Sequence, residues 1–482
     1  MRRAALLTAL ALLSAGFTHG PLIPGPGSGV RTATPAMVRP LREDVSVVPI
    51  LTVGDTLAVS DTATVPYVFP PMPSGLGILP TSSGLAEIYV AHDLPWDPFV
   101  VGGARVSRVA IDIRNLGALA GDFLIEGIDG YSRFASGTVG AARDGFLIPK
   151  FLVGEDRIDG PGRGLFTAVD TRDGTVTNLP WLGRFAHGGS AIVPTSTGKM
   201  AVVLTEDDLP GESQLYMYLA DSDDALLHGR GQLFVFRADP GPERTRLSSR
   251  AARNAPITGS FVPIDTKFGN DFAPPDRIEA RAQSIGCMNF VRLRGATPDR
   301  SRANIFYFAD AGAGNFYDPR TARLVTGAGR VYRAELDPID PTKVIDLRVI
   351  LDGDDGDDIY RPDGLASDSR YLWIQEDPGG VRSLHPARIL RYDMDARRLE
   401  VLAECVERDA KGALLSQGVG GVWKTAGIVD ASEIFGTDTW LISVQAPNQR
   451  QTRPWDQLGT GQILLLRGPG WTPPKAKKTK GS

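Results

Sequence analysis

The sequence predicts an all-β protein assembled from one repeated strand unit, and three observations predict it. Glycine (55 residues) and proline (36) are both frequent among the 482 positions, above the roughly 7% and 5% of ordinary chains, so turns are many and long helices few. The apolar runs are short and rich in β-branched and aromatic residues, as strands require. Six of those runs also end alike, on an acidic or amide side chain. A composition of 42% hydrophobic and 22% charged residues excludes a disordered tail, a collagen-like fibre and a disulfide-dense miniprotein. The formal charge of −4 argues against a nucleic-acid partner.

In chain order, residues 1–20 come first. Met1-Arg2-Arg3 followed by the apolar stretch Ala4 to Leu13 and the small residues Ser14, Ala15 and Gly16 reads as a secretory signal cut between Ala15 and Gly20. The mature protein is then expected in the periplasm or outside the cell. The apolar stretch is too short to cross a bilayer and no later one approaches twenty uninterrupted apolar residues, so no membrane span is expected. Residues 21–45, rich in proline and glycine, form an extended lead-in, and 46–470 form the folded domain. Residues 471–482 carry the basic run Lys475 to Lys480, a solvated tail without apolar periodicity.

The six runs are Glu87 to Asp93, Phe151 to Asp156, Val202 to Asp208, Ile305 to Asp310, Leu372 to Asp377 and Leu441 to Ala446. Several are followed by a turn and an alternating strand, such as Gly231 to Phe236 or Gly329 to Ala334, which is a hairpin signature. Their spacing is roughly 50 to 70 residues, the sequence form of a propeller blade. One step is longer and contains a polar stretch, so an inserted loop region is expected around 244–275. The expected architecture is a single β-propeller, with six blades, in which equivalent strand ends converge on the central channel.

Convergence would gather carboxylates, and several carboxylates at close range require a counter-charge. Oxygen ligands without cysteine suit Ca²⁺, Mg²⁺ or Mn²⁺. For any one of these ends the alternative is a turn residue. The second acidic cluster, Asp352 to Asp358, has Asp363 where an EF-hand loop needs its closing Glu, and is read as a solvated loop. There is no GxSxG elbow, HExxH helix or phosphate loop. Of five histidines, His187 reads equally as a packed strand residue or a site residue. Cys287 and Cys405 lack zinc-site spacing and read as either a disulfide or two buried thiols.

Arg361-Pro362-Asp363-Gly364-Leu365-Ala366 with Tyr371-Leu372-Trp373-Ile374-Gln375-Glu376-Asp377 resembles a segment of the PhoX-type alkaline phosphatase family. Gly183-Arg184-Phe185-Ala186-His187 with Leu204-Thr205-Glu206-Asp207-Asp208, Val153-Gly154-Glu155-Asp156, and Arg277-Ile278-Glu279 are similar to three shorter motifs of that family. The resemblance spans about residues 70–450 and implies a six-bladed propeller that hydrolyses phosphate esters at a channel mouth holding calcium and iron. It makes Glu155, Glu206, Glu279 and Glu376 metal ligands, with Asp156 and Asp207 close by. The repeat adds Asp310. Arg277 would pair the phosphate bidentately, with His187 beside it. Iron is not expected, because Arg133 to Lys150 contains no cysteine, Gly188 follows His187 where the family has Glu, and Lys424 stands where the family has Glu.

Three functions follow. The first is a phosphoesterase in which Ca²⁺ polarises the phosphoryl oxygens of a small phosphorylated substrate. The second is a propeller with a reduced site that binds a ligand or partner. The third is lactonase-like hydrolysis on a calcium propeller, by fold analogy.

Overall fold

The computed structural model describes residues 22, 29–57, 66–82, 84–97, 102–208, 212–240, 255–313, 327–378, 385–408, 411–413, 423–447 and 459–474. The signal segment 1–20, the basic run 475–480 and residues 241–254 of the insertion lie outside them.

The chain is all-β. Among the described residues the helices are short, the longest being Pro275–Ile285. Among the described residues most strands fall into six four-stranded antiparallel ladders, the third and fourth joined into one sheet and the fifth extended by a strand, with two two-stranded pairs outside them. Each ladder begins with a channel-side strand: Pro73–Ser82, Phe134–Gly140, His187–Pro194, Leu293–Pro298, Pro362–Ser367 and Lys424–Asp430. Each of these touches the next, and the last touches the first, so they close a ring. This is a propeller-like arrangement. The acid-ended runs of the sequence are all second strands: Leu85–His92, Lys150–Glu155, Met200–Glu206, Ile305–Asp310, Tyr371–Glu376 and Thr437–Pro447. They therefore stand one strand back from the channel, and their ends meet the beginnings of the channel strands.

The channel strands approach one another closely because they carry glycine where their pairing to the second strand shifts register. A Cβ on Gly427 would lie 2.0 Å from the Ser74 carbonyl oxygen, and one on Gly295 would lie 2.3 Å from that of Asp363. Beyond this constriction the channel widens into a cavity of about 390 Å³ lined by residues such as Leu79, Val139, Ser190, Thr297, Ser367 and Val429.

Neighbouring ladders pack face to face over apolar side chains, as twisted sheets with alternating patterns do. Trp373, Trp423 and Trp440 fill the space between the fifth and sixth ladders. The lead-in is partly ordered into the sheets. Val38–Pro40 adds a strand to the fifth ladder, and Ser46–Thr52 supplies the outer strand of the sixth by pairing with Gly459–Thr472. The insertion is real but extends further than 275. Its strand Ile257–Pro263 joins the outer strands of the third and fourth ladders, and its helix runs to Ile285. Cys287 and Cys405 are buried thiols that form no disulfide. No helix among the described residues is long and apolar enough to cross a membrane.

Candidate functional site

The repeated strand ends do two different jobs, divided by the strand alternation that sends successive side chains to opposite faces. In four ladders the last residue of the second strand is a latch. Glu155 accepts the backbone N–H of Ser132 and of Leu165, each at 2.8 Å. Asp310 accepts from Val291, Arg292 and Gly312 at 2.9–3.0 Å. Glu376 accepts from the Tyr360 and Arg388 backbones and from two nitrogens of the Arg388 guanidinium. Glu206 accepts from Gln214 N–H at 3.2 Å. The first and sixth ladders place His92 and Gln445 near the same corner, but these bind carbonyls there: His92 joins the Pro71 carbonyl to the Ser107 hydroxyl, and Gln445, two residues before the end of its strand, donates to the Met72 carbonyl. A buried backbone N–H or carbonyl without a partner costs stability, so a side chain that pairs the backbone is needed at this corner, an acceptor in four ladders and a group meeting a carbonyl in the other two.

The residue after the latch turns toward the channel. Asp93, Asp156, Asp207 and Asp377 occupy this position, each donating its backbone N–H to the residue before a channel strand. Against them stand cations at the beginnings of the channel strands. Arg292 grips Asp207 with two hydrogen bonds of 3.0 and 3.1 Å. Arg294 reaches Asp207 at 2.8 Å, Asp156 at 3.4 Å and Asp363 at 3.7 Å. Lys424 lies 3.4 Å from Asp377 and 3.8 Å from Asp363. Arg133 pairs with Asp93 at 3.2 Å. Burial pushes the Asp156 carboxyl above its ordinary range although Arg294 pulls it back. Burial acts on Asp207 too, but Arg294, Arg292 and Arg157 outweigh it and hold that carboxyl low.

Arg361 differs from the rest. It immediately precedes a channel strand, its backbone is left-handed at φ 51°, and the residue is 7% exposed. Its Nε has no hydrogen-bond partner among the described residues. Burial pulls its pKa down from the ordinary guanidinium value; Asp377 opposes this, and Arg292 and Arg294 add to it.

The predicted site residues are thus divided. Asp156 and Asp207 meet at Arg294. Glu155, Asp310 and Glu376 have their oxygens committed to backbone and arginine donors. Burial raises the pKa of both Glu206 and Glu279, and Asp208 adds to each; Glu279 raises Glu206 further. Glu155 does not join them. Arg277 lies on the exposed side of its helix, over the Phe268 ring at 5.2 Å, and has no contact with the Arg294 cluster. His187 is fully buried between Phe166 and Phe185, with ring centroids 5.1 and 4.1 Å away. Its polar neighbours are the backbones of Gly164 and Gly183, which oppose the fall in pKa that burial causes. A side chain on Gly188 would meet the Leu293 carbonyl oxygen at 2.4 Å, which is why glycine stands there. The acidic loop is structural: Asp352 pairs with Arg330, and Asp354 accepts from Gly327 and Ala328.

Burial pulls His92 and His187 down to about 3, below the ordinary value of about 6.5. Each therefore contributes stability above about pH 6.5 that is lost as pH falls, since the unfolded chain takes up the proton first. Their ring resonances in NMR are expected to stay at neutral positions between about pH 8 and pH 5. Titration of His187 in that window would return it to the list of proton carriers.

No protein-family model matches the chain, and no curated protein matches it at sequence level. Among solved structures, Pseudomonas fluorescens PhoX, in complex with the transition-state analogue vanadate, superposes with a TM-score of 0.62 at 12% identity, covering 94% of this chain and 98% of that one. This chain shares its fold. The β-propeller domain of the Trilobed protease from Pyrococcus furiosus is a weaker match, with a TM-score of 0.33 at 7% identity over 78% of this chain and 92% of that one.

The resemblance stated from the sequence implies metal at the channel mouth, and the described residues do not fit it. Among the described residues no three or more His, Cys, Asp and Glu side chains are grouped to hold a metal ion. The carboxylates nearest the channel already face guanidinium and ammonium groups, and those behind them face backbone donors.

Proposed function

We propose that this chain recognises and hydrolyses a phosphate ester at the channel mouth, and that arginine side chains do the work of holding the phosphoryl group. The single observation that carries the reading is Arg361, a buried guanidinium beside Arg292 and Arg294 whose Nε has no hydrogen-bond partner among the described residues. Crowded like charges of this kind are stabilised by an incoming oxyanion, and the planar guanidinium fork matches phosphate oxygens. In phosphoryl transfer, charge spreads over the equatorial oxygens, so preorganised cations aimed at them lower the barrier. Water would attack phosphorus as the bond from phosphorus to the alkoxide oxygen breaks; the departing alkoxide takes a proton, and the attacking water gives one up, which restores the donor. Asp156, held above the ordinary carboxylate range and with Oδ1 in no hydrogen bond among the described residues, is the carboxyl suited to supply the alkoxide's proton. The fold shared with a phosphatase solved with vanadate supports the choice of ligand. The expected periplasmic or extracellular location belongs to this reading.

A second reading is binding without turnover. The pairing of both Asp156 and Asp207 to Arg294 favours it, because a carboxylate held in an ion pair is less free to move a proton.

The test uses the full chain, with vanadate binding by calorimetry and release of p-nitrophenol from its phosphate ester. Saturable vanadate binding is expected. Arg361→Ala should weaken it by roughly 10- to 100-fold, the worth of about 1.5–3 kcal/mol for a charge-assisted contact. Binding without hydrolysis selects the second reading. Absence of vanadate binding in the parent chain removes both.

A further inference from the structure

We infer that the mouth carries its own counter-ions: Arg294 and Lys424 take the place that a divalent cation would hold among Asp156, Asp207, Asp363 and Asp377. The argument is one of charge and reach. Four carboxylates brought from the second, third and fifth ladders to one spot require positive charge between them. A metal ion meets that need by touching several ladders at once. Arg294 does the same from the fourth ladder: its guanidinium contacts Asp156 of the second, Asp207 of the third and Asp363 of the fifth within 3.7 Å. Lys424, from the sixth ladder, spans Asp363 and Asp377 within 3.8 Å.

Both cations are largely withdrawn from water, with side-chain exposures of 7% and 12%, so solvent does little to weaken these pairs. The guanidinium keeps its charge at any working pH. A divalent ion entering here would have to compete with cations already within 3.8 Å of all four carboxylates, and would meet repulsion from them. The residue the sequence singled out as a departure, Lys424, is therefore one half of a substitution whose other half, Arg294, it did not reveal. Charge balance at the mouth is supplied by the polypeptide, and the site operates without bound metal.

This inference concerns the same mouth as the proposed function but does not require a phosphate ligand. The closing experiment keeps the two apart. Elemental analysis of the purified full chain is expected to find no stoichiometric calcium, iron or manganese, with a melting temperature unmoved by chelator or by added calcium. In Arg294→Gln the three carboxylates lose their shared cation, and added calcium should now raise the melting temperature saturably, because an ion that binds only the folded state stabilises it. Lys424→Gln, which leaves Arg294 in place, should show the smaller shift in the same direction. A parent chain that holds one equivalent of a divalent ion and melts lower in chelator overturns the inference, whether or not the variants fold. Folded Arg294→Gln that takes up no calcium also overturns it. Vanadate binding decides only the proposed function.

Discussion

Glu376→Ala is expected to cost about 3–5 kcal/mol of folding stability, the range for breaking a buried ion pair, and to cost the same in calcium as in chelator. Glu376 is fully buried and takes four donors, the backbone N–H groups of Tyr360 and Arg388 and two nitrogens of the Arg388 guanidinium, at 2.8–3.1 Å. Alanine would leave two backbone donors and most of a guanidinium without an acceptor. The remaining partner of Arg388, Asp358, has a side-chain exposure of 72% and would compensate little. Glu376→Gln keeps an acceptor and should lose less. Urea denaturation midpoints, measured with calcium and with chelator, provide the check. A loss seen only in calcium would make Glu376 a metal ligand and end its role as a latch.

Trp373→Ala should be comparably damaging, about 3–5 kcal/mol, as expected for a large aromatic removed from a packed core. Trp373 has no exposure and lies 4.6 Å from Trp440 across the interface of the fifth and sixth ladders. The cavity left behind would separate two sheets that hold Arg361, Asp363 and Lys424 in register, so vanadate affinity should fall along with stability. Leu147→Ala is the control, since Leu147 is 88% exposed and a surface change of this kind alters stability by less than about 0.5 kcal/mol. Equal midpoints for the two variants would mean that the ladders do not depend on this contact.

The second strands were legible in the sequence because their apolar runs, such as Met200 to Leu204 and Leu372 to Ile374, are buried on both faces and stand out as continuous stretches. Their polar endings repeat because a backbone corner recurs in every ladder, and the sequence could show that recurrence without showing its purpose. The channel strands were hidden. Phe134-Ala135-Ser136-Gly137 and Leu293-Arg294-Gly295-Ala296 are small and glycine-bearing, because neighbouring backbones come within a few ångströms of them, and neither reads as a strand by periodicity. Arg133, Arg292, Arg294 and Arg361 stand at or just before those strands, so the cationic half of the site was missed with them. A signal was present: a basic residue one to three positions ahead of glycine in Arg294-Gly295, Arg361-Pro362-Asp363-Gly364 and Lys424-Thr425-Ala426-Gly427, each upstream of an acid- or amide-ended strand. Arg277 attracted the phosphate assignment by its motif, but helix geometry turned it outward.

The pairing of Ser46–Thr52 with Gly459–Thr472 has a kinetic consequence. Thr52 and Gln462, which share a hydrogen bond, are 410 positions apart, so this seam is among the most non-local contacts in the molecule. Closing so long a segment demands a large loss of chain entropy before the contact forms, and topologies dominated by distant partners assemble slowly. The early strand must keep an unpaired edge while five other ladders organise, and an exposed edge is where chains associate wrongly. Ring closure is then expected late in folding. A chain ending before Gly459 would lose this seam and keep only the contacts of Lys424–Asp430 and Thr437–Pro447 with Pro73–Ser82 to hold the two ends of the ring together.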